Sequence, residues 1–131
     1  MALKFHHIAV ATSNIIKTSE IYKKLGFELG NTYDDLIQQV QVQFAQADKI
    51  SIELVTPLSD NSPIKNILNK IGTSPYHVCF LTDDFDNDYK YLLELGFIDL
   101  TGCKPAKAFD NKNIVFLYND SFGLIEIVDE K

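Results

Sequence analysis

The sequence predicts an α+β fold built from two tandem βαβββ modules, and three observations carry that prediction. An internal repeat runs through the chain, the hydrophobic period changes from helical to strand-like within each half, and glycines stop two helices at matching places. At an offset of 70 residues, His7-Ile8-Ala9-Val10-Ala11-Thr12 falls on His77-Val78-Cys79-Phe80-Leu81-Thr82, Asn14 on Asp84, and Leu25-Gly26-Phe27 on Leu95-Gly96-Phe97. At an offset of 73, Ile52-Glu53-Leu54-Val55 falls on Ile125-Glu126-Ile127-Val128, which places three extra residues in the second half, between Asp99 and Asn113.

Each element follows from its own pattern. Residues 3–11 are β-branched and apolar, a first strand. Residues 14–25 carry Ile15, Ile16, Ile21, Tyr22 and Leu25 at helical spacing after the polar cap Asn14, and Gly26 ends them. A weaker strand near 27–33 precedes two alternating runs, Val40-Gln41-Val42-Gln43-Phe44 and Ile50-Ser51-Ile52-Glu53-Leu54, joined as a hairpin through Ala47-Asp48-Lys49. Ser62-Pro63 predicts an N-cap and first helical residue for a short connecting helix that Gly72 stops. The second half repeats the order as strand 75–82, helix 84–95 and strands 97–103, 113–118 and 123–128. The expected organisation is one domain over residues 1–131, with module one at 1–58, the connecting helix at 62–72 and module two at 74–131.

Charge narrows the function. The 131 residues hold 18 acidic and 12 basic side chains, a formal charge of −6, and all the basic ones are lysine. No nucleic-acid partner is expected from an acidic chain with no basic stripe. Without a guanidinium fork, an anionic substrate has to be held by lysine, backbone N–H or a metal. The stretch MALKFHHIAVA lacks the charged segment followed by a long apolar run that a leader would show, and no apolar run approaches the roughly 18 residues of a membrane span, so a cytoplasmic protein with no membrane partner is expected. Cys79 and Cys103 are too few for a disulfide framework, and Cys79 is expected on the strand face that carries His77.

Each half has a histidine on its first strand and a glutamate on its last: His7 with Glu53, and His77 with Glu126. Alternation turns Glu53 away from Ile50, Ile52 and Leu54, and Glu126 away from Ile125 and Ile127. A bare carboxylate in an apolar strand costs several kcal/mol unless something pairs with it. The same cost occurring twice points to a shared partner, and two imidazoles with two carboxylates suit a divalent metal. His6, one residue from His7, is expected to pack on the helix side.

In this order the motifs resemble the vicinal oxygen chelate superfamily, which includes glyoxalase I, methylmalonyl-CoA epimerase, extradiol dioxygenases and bleomycin-resistance proteins. His7-Ile8-Ala9-Val10-Ala11 and Tyr76-His77-Val78-Cys79-Phe80 resemble its first and second ligand strands, and Gly123-Leu124-Ile125-Glu126-Ile127-Val128 its last. Ile52-Glu53-Leu54-Val55-Thr56-Pro57-Leu58 with Ser62-Pro63-Ile64 is similar to the epimerase branch and to short bacterial glyoxalase I-like proteins. The resemblance implies an open curved barrel around a metal held by His7, Glu53, His77 and Glu126, with nickel, cobalt, manganese or zinc as the ion. It implies a proton shift next to a carbonyl through a metal-bound enediolate, with Glu126 as principal base and Glu53 as its counterpart, and a homodimer. The substrate is then a thiol adduct of a 2-oxoaldehyde or an acyl-CoA.

Tyr118-Asn119-Asp120-Ser121 departs from the His-Pro-Lys-like turn of the epimerases, which moves the expectation toward a glyoxalase I (lactoylglutathione lyase)-like enzyme. The alternatives are an epimerase-like racemase and a bleomycin-type binding protein. Gln39, Gln41 and Gln43 are expected to present amides toward the cavity, and Lys104, Lys107 and Lys112, on a loop, are expected to substitute for the arginine by which glyoxalase I-like proteins hold an anionic carrier.

Overall fold

The computed structural model describes residues 3–131 and has the expected α+β class. Nine strands and three α-helices are present among them: β1 (Leu3–Ala11), α1 (Ile15–Lys24), β2 (Glu28–Asp35), β3 (Val40–Ala47), β4 (Ile50–Pro57), α2 (Lys65–Ile71), β5 (Ser74–Thr82), α3 (Phe85–Glu94), β6 (Ile98–Asp99), β7 (Lys104–Ala106), β8 (Lys112–Asn119) and β9 (Gly123–Asp129). A single 3₁₀ turn, Lys107–Phe109, joins β7 to β8. Packing gathers the chain into two compact units, His7–Tyr76 and His77–Lys131, the latter including the start of β1 as far as His6.

Within His7–Tyr76 the strands run in the order β2-β3-β4-β1. β3 pairs antiparallel with both β2 and β4, and β4 pairs parallel with β1, setting Ala9 opposite Glu53. Helix α1 closes one face, where Val10, Ile15 and Leu54 form a buried cluster with Tyr22 and Ile52 packed against it. Within His77–Lys131 the order β6-β8-β9-β5 repeats the arrangement, with β7 also on β8, and β5 lies parallel to β9 with Cys79 opposite Glu126. Here α3 covers Leu92, Phe97, Val115, Leu117, Ile125 and Ile127, against which Leu3, Phe80, Phe85 and Tyr89 pack.

The strand-to-helix corners explain why the repeat extends to Thr12 and Thr82. Each hydroxyl accepts the N–H two residues on, from Asn14 at 3.1 Å and from Asp84 at 3.0 Å. Each also bonds into the helix that follows: Thr12 shares a 2.8 Å hydrogen bond with Thr18, and Thr82 donates to the buried carboxylate of Asp88. Both helices then stop at glycine. Gly26 and Gly96 have φ of 102° and 97°, and the N–H groups of Phe27 and Phe97 reach back to the carbonyls of Tyr22 and Leu92, the closure typical of a left-handed helix end.

Three local expectations are corrected. Asn14 caps α1 through Lys17 N–H at 3.1 Å, whereas Asp84 makes no such bond to α3 and instead accepts from the Asn87 amide. Ser62 does not cap α2, which begins at Lys65 after a turn through Pro63 and Ile64. The strand expected over 97–103 ends at Asp99, because that carboxylate takes the N–H groups of Thr101 and Gly102 at 3.0 and 2.7 Å and bends the chain before β7.

Candidate functional site

Each unit builds a histidine–glutamate pair on the sheet face turned away from its helix. On β4, Ile52 and Leu54 face α1, so Glu53 leaves from the opposite side and is 5% exposed. His7 lies two residues before Ala9, the parallel partner of Glu53, and therefore shares that face. It is fully buried, with Nε2 3.4 Å from Glu53 Oε1. On β9, Ile125 and Ile127 lie under α3 and Glu126 leaves from the other side. His77 lies two residues before Cys79, the partner of Glu126, and its Nε2 is 3.2 Å from Glu126 Oε1. In each unit the histidine of the first strand and the glutamate of the last are thus brought side by side.

These distances bear on what the pairs can hold. A charge-assisted N–H···O bond shortens to about 2.7–2.9 Å, and a buried ion pair needs good geometry to offset its desolvation. At 3.4 and 3.2 Å both pairs are longer than that. Two donors that sit side by side on one ion, each at about 2.0–2.2 Å, stand roughly 3 Å apart. An imidazole nitrogen with a carboxylate oxygen is a borderline-to-hard donor set, suited to zinc, nickel, cobalt or manganese. The residues of each pair therefore fit a divalent cation.

Two phenylalanines complete the pairs, and sequence reasoning did not single them out. Phe44 on β3 is the register partner of Glu53, and Phe116 on β8 is that of Glu126. The Phe44 ring meets the His7 imidazole edge-on with centroids 5.3 Å apart and planes at 77°, and Phe116 meets His77 at 5.0 Å and 78°. Their repeat offset of 72, between the 70 of the histidines and the 73 of the glutamates, was the available signal.

The same register corrects the glutamines. Gln41 and Gln43 pair with Thr56 and Leu54, on the face opposite Glu53 and Phe44, and their amides donate to Asp34 Oδ1 and the Gly30 carbonyl, both at 2.9 Å. Gln39, at positive φ before β3, donates to the Leu36 carbonyl. Of the glutamines on this strand only Gln46, the register partner of Ser51 at its exposed end, shares the face of Glu53.

His6 is corrected as well. Leu3 packs with the α3 cluster, and Phe5 meets Phe80 of the same cluster edge-on, so His6 takes the other face. Its ring lies 5.2 Å from that of Phe109, which packs against Cys79, Ala106, Ile114 and Val128. Cys79 shares the His77 face of β5, as expected. Of the lysines, Lys104 and Lys107 are exposed on β7 and the 3₁₀ turn, and Lys112 donates to the Glu130 carbonyl at 2.9 Å.

Fold, repeat and paired ligand types together define the class. Residues 6–116 match the model of the Glyoxalase/Bleomycin resistance protein/Dioxygenase superfamily, and the chain belongs to that family. It is 31% identical over 133 residues to the mitochondrial methylmalonyl-CoA epimerase of Dictyostelium discoideum, covering 98% of this chain and 78% of the relative. It is 28% identical over 128 residues to the ethylmalonyl-CoA/methylmalonyl-CoA epimerase of Cereibacter sphaeroides, covering 95% and 96%. Among solved structures, a variant of the Streptomyces coelicolor methylmalonyl-CoA epimerase in complex with 2-nitronate-propionyl-CoA superposes with a TM-score of 0.83 at 25% identity, over 98% of each chain.

Proposed function

We propose that His7, Glu53, His77 and Glu126 share one divalent cation, each offering one donor atom, and that the chain is an epimerase of a 2-substituted malonyl-CoA-type thioester. The observation that carries the proposal is the duplicated buried pair, histidine Nε2 against glutamate Oε1 at 3.4 and 3.2 Å, at the same register in two units. The acyl-CoA substrate is supported by the names of the relatives and by the ligand of the solved neighbour. They favour the epimerase over the glyoxalase I-like enzyme toward which the turn at Tyr118-Asn119-Asp120-Ser121 leaned. The absence of arginine, the residue that commonly holds the glycyl carboxylate of glutathione in glyoxalase I-like proteins, agrees with that order.

The chemistry asks for inversion at a carbon next to a carbonyl, so a proton has to leave from one side and return on the other. Glu126 is the principal base and Glu53 its counterpart: each carboxylate sits at a strand centre, held in place by an apolar neighbour on either side in sequence. When bound, the cation supplies positive charge against the oxygen on which negative charge develops as the proton leaves. Phe44 and Phe116 keep water from one flank of each carboxylate. Lys104 and Lys107 are the cations offered to an anionic carrier group. We further propose that the working form is a homodimer in the cytoplasm.

The deciding experiment has two parts. Protein purified without chelator is analysed for metal, alongside a His77→Ala variant. Metal-loaded protein is then incubated in D₂O with methylmalonyl-CoA and, separately, with methylglyoxal plus glutathione. Deuterium entering only the acyl-CoA supports the epimerase, and turnover of the glutathione adduct would replace it by the lyase. Full metal content in His77→Ala would contradict the shared site. Ligand binding without exchange would make the chain a binding protein.

A further inference from the structure

We propose that Phe44 and Phe116 are positioning residues for the metal-binding imidazoles, so that the set serving the site is six side chains and not four. The inference rests on the metal site proposed above and deepens it. Strand register places each phenylalanine directly across from a ligand carboxylate, Phe44 opposite Glu53 and Phe116 opposite Glu126. On an antiparallel pair such residues have Cβ atoms about 4.5–5.5 Å apart on one face, and the histidine lies one strand further on, on β1 or β5, beside the glutamate on that same face. Each ring therefore extends past its glutamate to the histidine and meets the imidazole edge to face, at 5.3 Å and 77° in one unit and 5.0 Å and 78° in the other.

An imidazole on a strand has two soft rotations, and the second decides whether Nε2 or a ring carbon faces the carboxylate. A phenyl ring nearly perpendicular to the imidazole, in contact with its side, hinders that rotation. In both units the atom presented to the glutamate is Nε2. Neither phenylalanine belongs to the clusters under α1 or α3, so packing of the helices does not account for them; Phe116 packs in addition against Cys79, Ala106, Ile114 and Val128 on the carboxylate side of its sheet. That two nearly identical contacts recur at the same register in the two halves ties them to what the halves share, which is the histidine–glutamate pair.

The test is cobalt(II) titration of metal-free wild type, Phe44→Leu, Phe116→Leu, Phe116→Tyr and Phe80→Leu, read by visible absorption, with thermal unfolding of each metal-free protein recorded in parallel. Phe80 lies on β5 between Cys79 and Leu81 but packs under α3, and serves as the control for loss of a ring from the same strand. The two leucine variants at the site are expected to bind cobalt roughly three- to ten-fold more weakly, the factor an aromatic contact of this kind is worth, with a changed absorption spectrum. Phe116→Tyr is expected to restore both, and Phe80→Leu to lower unfolding temperature while leaving affinity and spectrum unchanged. Wild-type affinity and spectrum in Phe44→Leu and Phe116→Leu would overturn the inference alone, as would equal weakening in Phe80→Leu. Failure of the wild type itself to bind cobalt would instead overturn the metal site, and the inference with it.

Discussion

At the scale of single residues, the two carboxylates differ in their strand neighbours: Ala9 stands beside Glu53, and Cys79 beside Glu126. Both neighbours are fully buried, so neither offers water a way in from that side. Glu126 also adjoins an apolar floor made by Cys79, Ala106, Ile114 and Val128 with Phe109 and Phe116 against it. We expect Glu126→Gln to lower kcat for α-proton exchange by about 100-fold or more, the contribution of a positioned general base, with a smaller change in KM. Steady-state exchange in D₂O measures both, and a variant that lost affinity while keeping its rate would remove Glu126 from the role of base. The four charged or ionisable site residues were legible because duplication repeats them in register with their strands. Phe44 and Phe116 were not, since an apolar residue on an alternating strand reads as core whichever face it serves. The glutamines were assigned to the wrong face for the same reason: the carboxylate face of β3 is the apolar one, carrying Val42 and Phe44, and alternation alone does not say which face looks at the helix. His6 escaped because β1 changes allegiance between His6 and His7. Leu3 belongs to the α3 cluster and Val10 to the α1 cluster, a change that strict alternation hides.

At the scale of elements, regular periodicity made β1, α1, β3, β4, β5, α3, β8 and β9 legible to within a few residues, and what failed were places where a side chain captures the backbone. Asp99 is the clearest. It looked like part of a seven-residue strand, yet its carboxylate holds Thr101 N–H and Gly102 N–H and accepts the Tyr89 hydroxyl from α3 at 2.7 Å. Partial burial pushes the Asp99 carboxyl up, and the hydrogen bonds from Tyr89, Gly102 and Thr101 outweigh it, leaving its pKa below the ordinary value. The Tyr89 hydroxyl is raised in turn, first by its bond to Asp99. A carboxylate with a depressed folded pKa stabilises the fold fully above the unfolded value of about 3.9 and loses that contribution as pH falls through the folded value. Tyr89→Phe should therefore unfold at a lower temperature than wild type near neutral pH, with the gap narrowing as the solution is acidified below pH of about 4. Calorimetric or circular-dichroism melts across that range check it, and a gap independent of pH would mean that the phenol acts by packing and not through Asp99.

For the whole molecule, the apolar residues left on the surface carry the argument. In the His77–Lys131 unit, Leu95, Ile98, Leu100 and Phe122 are each at least half exposed, and Ile98 is paired with the 39%-exposed Tyr118 across β6 and β8. A monomer rarely leaves a large contiguous apolar patch in water. β6 has only two residues and pairs only with β8 among the described residues, and its one charged side chain, Asp99, is engaged by the Tyr89 hydroxyl and the N–H groups of Thr101 and Gly102, which leaves Ile98 as the exposed side chain of a short edge. The edge strand β2 of the other unit presents Glu28 and Asp34 instead, a composition that discourages pairing. The region around β6 is therefore the surface expected to be covered in the proposed homodimer, by the same region of a second copy as twofold symmetry requires. Sedimentation at micromolar concentration should give twice the chain mass of 14.8 kDa, and Ile98→Glu, which sets a charge on each copy against its own image, should shift the equilibrium to monomer by at least about ten-fold. Monomer alone in the wild type would remove the dimer, and a dimer indifferent to Ile98→Glu would move its interface away from β6.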